Sequence, residues 1–144
     1  MLKYFDENYQ PISESPLKTF HNGYSGGAFE NLFYIRNSDP STYYSDIYIV
    51  PKFRLSYLKD SGVNGNTGWS IKVLYGKSKP TRSEWDTVEG GEEIVMPDIG
   101  SEMAADTSTF HPVWFRVYCP GGEQAQIREN IYLEISFNEK QVRL

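Results

Sequence analysis

The chain has 144 residues, a single cysteine and a net charge of −5, from 14 Lys and Arg against 19 Asp and Glu. That length favours one domain, the lone Cys119 excludes an intrachain disulfide framework, and the acid excess without a basic run argues against nucleic acid, whose binding rests on Lys and Arg at phosphates. No apolar run approaches the ~20 residues of a membrane-spanning helix, and the opening "MLKYFDENYQ" has no apolar signal core, so synthesis in a cytoplasm is expected.

Residues 1–25 differ from the rest. Pro11 and Pro16 interrupt any long element, and "HNGYSGG" closes the segment. It reads as an extended N-terminal arm or an edge strand, followed by one β-sandwich domain over 26–144. Tyr4, Phe5, Tyr9, Ile12, Leu17 and Phe20 give it apolar groups that need a surface to cover.

Short strand-like runs follow, punctuated by turn signals. "NLFYIRN" (31–37) ends at a turn over 38–41. "YYSDIYIVP" (43–51) places Ile47 and Ile49 on one parity, and "FRLSYL" (53–58) alternates Phe53, Leu55 and Tyr57. The loop "DSGVNGNTG" (60–68) is rich in oxygen but lacks EF-hand spacing. "WSIKVLY" (69–75) alternates Trp69, Ile71, Val73 and Tyr75 against polar positions. A helical turn is expected over 80–88, with Ser83 as N-cap before Glu84, and another over 99–108 with Ser101 as cap. Between them "EEIVMP" (92–97) is a short strand.

The strongest run is "FHPVWFRVYCPGG" (110–122). Val113, Phe115, Val117 and Cys119 share one parity, and Trp114, Arg116 and Tyr118 the other. Cys119 thus reads as a small buried hydrophobe. The last run, "NIYLEISF" (130–137), alternates Ile131, Leu133, Ile135 and Phe137 against Tyr132 and Glu134. Matching parities suggest that 131–135 and 113–117 share a core, and that Arg116 neighbours Glu134. Short alternating runs separated by Gly, Pro and Asn predict an all-β, single-domain antiparallel β-sandwich, immunoglobulin-like or jelly-roll-like, with short helical connectors.

Chemistry is hard to find. His21 and His111 with one cysteine fall short of a zinc ligand set. No Gly-x-Ser-x-Gly elbow or phosphate loop appears, and the paired carboxylates Glu92, Glu93, Asp98 and Asp106 sit beside turns. No enzyme, cofactor or metal is expected. Surfaces remain, with Tyr4, Phe5, Tyr9, Phe20, Tyr43, Tyr44, Trp85, Trp114, Arg116 and Tyr118 as candidate contact residues, since Trp, Tyr and Arg concentrate at interfaces. Trp85 reads either as a connector residue capping the core or as an exposed anchor.

The segments "PVWFRVYCPGG", "EQAQIREN" and "IYLEISFNE", a W-x-R-V strand, a Pro-Gly turn, a polar link and a final strand ending in an acid, resemble small β-sandwich structural proteins of tailed-phage virions. "GGAFENLFYIRNSDPSTYYSDIYIVP" is similar in kind. The resemblance covers about half of the chain and carries no catalytic residue. It implies a virion component such as a capsid decoration, collar, tail or baseplate protein. Its partners would be other virion proteins or copies of itself. The alternative is a carbohydrate-binding module that stacks a glycan on exposed Trp85 and Trp114.

Overall fold

The computed structural model describes residues 2–12, 17–21, 27–53, 70–100, 109–119 and 126–141, and of 17–21, 52–53, 119 and 126–134 the backbone alone. Within them the chain forms β1 (Leu2–Phe5), β2 (Pro11–Ile12), β3 (Leu17–His21), β4 (Gly27–Asn37), β5 (Thr42–Phe53), β6 (Ser70–Tyr75), α1 (Arg82–Asp86), β7 (Ile94–Met96), β8 (His111–Cys119) and β9 (Gln126–Gln141). The strands make two sheets, one ordered β2-β1-β4-β8-β6 and the other β3-β9-β5-β7. Every pairing is antiparallel. This is an all-β sandwich, as the alternating runs predict.

Period-2 alternation sends one parity of each strand inward. From the five-stranded sheet come Tyr4, Phe33, Ile35, Ile71, Val73, Val113, Phe115 and Val117; from the other come Tyr44, Ile47, Ile49 and Met96, with Ile99 joining from the loop. All are buried in one cluster, and Ile135 of β9 packs against it. Ile135 thus packs against the cluster to which Val113, Phe115 and Val117 also belong. The side chains of Ile131 and Leu133 lie outside the described residues, as do Leu55, Tyr57, Trp69 and the Cys119 thiol.

β5 does not keep one parity. Thr42 and Tyr44 are buried, then Ile47 and Ile49. The switch occurs at a bulge, where the β5–β9 register shifts between Ser45 and Tyr48. Asp46 takes φ 50 there, a left-handed conformation that Asp tolerates better than most residues. Its Oδ2 accepts a hydrogen bond of 2.7 Å from Asn138 Nδ2. Tyr44 and Ile99 then exchange two backbone hydrogen bonds of 2.9 Å, which tie the loop after β7 to β5.

The predicted turn over 38–41 is present. The buried Asn37 donates from Nδ2 to the Thr42 carbonyl at 2.9 Å, and its Oδ1 accepts from Asp39 N at 2.9 Å. Asp39 Oδ1 in turn accepts from both the backbone N and the hydroxyl of Ser41. These two bonds hold the Asp39 carboxyl below its ordinary value, the Ser41 hydroxyl contributing most.

Three expectations change. The cap of α1 is Thr81, not Ser83: Thr81 and Glu84 form a reciprocal capping box, which places the Glu at the third helical position where its carboxylate reaches back. The polar link before the last run is partly strand, since β9 starts at Gln126 and pairs first with β3, over Gln126–Ile131, and then with β5 from Ile131 to Gln141; the ladder to β3 outweighs a polar composition there. Strands β8 and β9 lie in different sheets, so Glu134 is not the cross-strand neighbour of Arg116. The expected helical turn at 101–108 lies outside the described residues.

The N-terminal segment enters the sheets. β1 sits between β2 and β4, with Leu2 opposite Asn37 and Tyr4 opposite Ile35. Leu2 and Tyr4 are buried in the core. β3 pairs with β9 at the edge of the second sheet. Leu2 and Tyr4 thus find their surface within the chain itself, with Ile12 packed against it; the side chains of Leu17 and Phe20 lie outside the described residues.

Candidate functional site

The outward face of the five-stranded sheet collects the residues of interest. Strand β8 is central, flanked by β4 and β6, so its outward side chains have neighbours on both sides. Three rows cross the face. Trp114 lies between Leu32 and Leu74, Arg116 between Glu30 and Lys72, and Tyr118 between Ala28 and Ser70. Trp114 is half-buried, flanked in register by two leucines, and its indole N–H is buried without a partner.

The connection after β6 folds back toward this face. Lys72 Nζ donates to the Trp85 carbonyl of α1 at 3.2 Å, and Gly91 N donates to the Ile71 carbonyl at 2.8 Å. Gly91 has φ 78, a conformation natural to glycine. Trp85 is 1% exposed and Val88 is buried. Of the two readings of Trp85, the connector residue is the one the packing realises, and its ring is not available for stacking.

The middle row is charged. Arg116 Nε lies 3.2 Å from Glu30 Oε1, but the N–H does not point along a hydrogen bond and is otherwise unpartnered. Glu30 also faces Lys79 Nζ at 3.7 Å. One carboxylate is thus shared between two cations. Beside the row, Ser70, Lys72, Arg82, Asp86, Arg116 and Tyr118 line a cleft of about 230 Å³.

The other end of the face is aromatic. The Tyr9 ring stacks on Tyr34 with centroids 4.9 Å apart and planes at 21°. Phe110 meets Tyr9 at 4.8 Å, Tyr34 at 5.8 Å and Phe5 at 5.1 Å, all edge to face. Such offsets match the ring quadrupoles, positive edge against negative face. The Arg36 guanidinium sits 5.0 Å over Phe110. The Tyr34 hydroxyl is held above its ordinary value, first by its hydrogen bond with Tyr9 and then by burial. Tyr9, Tyr34, Lys77, Thr109 and Phe110 border an open cleft of about 430 Å³.

The β1–β2 hairpin positions this shelf. Asp6 Oδ1 accepts from Asn8 N and Gln10 N, both at 2.9 Å, and Asp6 N donates to the Gln10 carbonyl at 2.8 Å. The closed loop holds Tyr9 at φ 61, where an aromatic residue pays a steric cost of roughly 1–2 kcal/mol. Its ring remains 54% exposed.

The ten candidate contact residues therefore separate. Phe5 and Tyr9 belong to the shelf. Arg116 and Tyr118 border the charged cleft, with Trp114 half-buried beside them. Tyr4, Tyr43, Tyr44 and Trp85 are buried. Tyr44 donates to Glu139 Oε1 at 3.1 Å, and burial is the first cause of its raised pKa. The side chain of Phe20 lies outside the described residues. Sequence reasoning missed Tyr34, Phe110, Lys72 and Arg82; the outward parity of Tyr34 and Lys72 was a signal, but only the pairing shows what they face.

Among the described residues no three His, Cys, Asp or Glu side chains gather as metal ligands, and no helix is long and apolar enough to cross a membrane. Comparison with known protein families, with curated proteins and with solved structures returns no match.

Proposed function

We propose that the protein is a non-enzymatic structural component of a tailed-phage virion, acting through protein–protein contacts with other virion proteins or with copies of itself. The observation that carries the contact-forming part is the aromatic shelf. An exposed Tyr9 ring held by a strained backbone over Tyr34 and Phe110 is costly to maintain on a surface, and Tyr rings gather where proteins meet. The virion setting rests on the sequence resemblance of 26–51 and 112–139. On this reading the chain is made in the host cytoplasm and ends in the particle as a decoration, collar, tail or baseplate element.

The test has two parts. Mass spectrometry of purified particles should find the chain at a fixed stoichiometry; particles that lack it overturn the virion assignment. A Tyr9→Ala, Phe110→Ala variant, stable enough to purify, should lose incorporation. Normal incorporation of that variant removes the shelf from the contact.

A further inference from the structure

The cleft beside Arg116 has a charge pattern that the fold does not require. Lys72 and Arg116 are direct cross-strand partners of β6 and β8. Like charges at that spacing are destabilising in an antiparallel pair. Arg82 of α1 brings a third cation to the same cleft, on a chain whose net charge is −5. Glu30 gives incomplete relief, because it is divided between Arg116 and Lys79. Donor capacity is also left over. Lys72 Nζ has three N–H groups and spends one on the Trp85 carbonyl.

We propose that this cleft binds a carboxylate-bearing sugar, a uronic acid or a sugar acid of similar size at a chain end. The three cations supply the carboxylate site, and Arg prefers that planar, two-oxygen partner. The remaining lining sets the rest of the ligand. Asp86 accepts from ring hydroxyls, the Ser70 and Tyr118 hydroxyls donate or accept, and the Tyr118 ring, 44% exposed, offers a face to the sugar. Asp86 repels a phosphate dianion more strongly than a singly charged carboxylate and, unlike a bare oxyanion, a sugar has hydroxyls to donate to it. A cleft of about 230 Å³ suits one ring, not a nucleotide. The site uses no residue of the aromatic shelf, so it stands or falls separately from the virion reading.

Titration of the isotope-labelled full chain with glucuronate, glucose and inorganic phosphate, followed by NMR, tests the proposal. Glucuronate should shift the amides of Lys72, Arg82, Arg116 and Tyr118 in a saturable manner, and glucose should not. Arg82→Gln, on the exposed helix, should weaken binding about tenfold, the loss of one charged hydrogen-bonding partner, without moving the melting temperature. Asp86→Asn should weaken glucuronate and strengthen phosphate. Absence of saturable shifts with glucuronate, equal binding of glucose, or phosphate binding tighter than glucuronate in the unaltered chain would each overturn it.

Discussion

Tyr9 and Tyr34 stack at 4.9 Å only because the Tyr9 backbone is left-handed. Ring placement and backbone strain are therefore coupled, and they can be separated by substitution. Tyr9→Ala keeps the strain and loses the stacking, about 0.5–1.5 kcal/mol. Tyr9→Gly loses the same ring but relieves the backbone, so it should be more stable than the alanine variant by about 1 kcal/mol. Urea melts of the pair check this. An alanine variant equal to or better than glycine would show that φ 61 costs nothing.

Trp85 should be a stability residue. At 1% exposure, Trp85→Ala is expected to cost about 3–5 kcal/mol. Trp85→Phe should cost much less, since it keeps a buried ring, while both changes remove the same N–H that has no partner. Thermal melts of both variants decide; equal losses would mean that the site does not use the volume of a six-membered ring.

The N-terminus should matter to folding. Leu2→Ala is expected to cost about 2 kcal/mol, the low end for a buried leucine because a terminal strand relaxes easily. Deleting residues 1–12 should cost more, since it also removes Tyr4 and uncovers β4. A truncated chain with an unchanged denaturation midpoint would return this segment to the status of an arm.

Asp39 sets an acid limit on the β4–β5 turn. Its folded-state pKa is depressed by Ser41. Its contribution is therefore complete above the unfolded carboxylate value and is lost as pH falls through the lower, folded one. Ser41→Ala should bring the Asp39 pKa back toward ordinary, as read by NMR titration of its carboxyl carbon. No change would place the cause elsewhere.

The alternating runs at 31–37, 43–51, 69–75, 92–97, 113–119 and 130–137 announce strands, and inward residues such as Ile71, Val73, Val113 and Val117 follow from parity. Parity says which side a residue faces, not which strand lies next to it. Parity alone therefore sets Arg116 beside Glu134, whereas the ladders place it between Glu30 and Lys72. Trp85 was ambiguous because a five-residue helix has too little periodicity to reveal its buried side. The shelf was half legible. Phe5 and Tyr9 stand out by composition, but their meeting with Tyr34 and Phe110 depends on the β1–β4 register and on one left-handed residue.

The bulge at Asp46 gives β5 an asymmetry between kinds of mutation. Exchanging one side chain for another leaves Tyr44 on one side of the bulge and Ile47 on the other still turned toward the core. Removing or adding a single residue between them would turn half of the strand inside out, bringing Tyr48 and Val50 in where Ile47 and Ile49 belong. Drift in this strand is thus confined to spelling and closed to length. Codon-level deletion scanning across 44–47 should find a sharp intolerance there, against ordinary tolerance at the exposed Pro40 of the preceding turn.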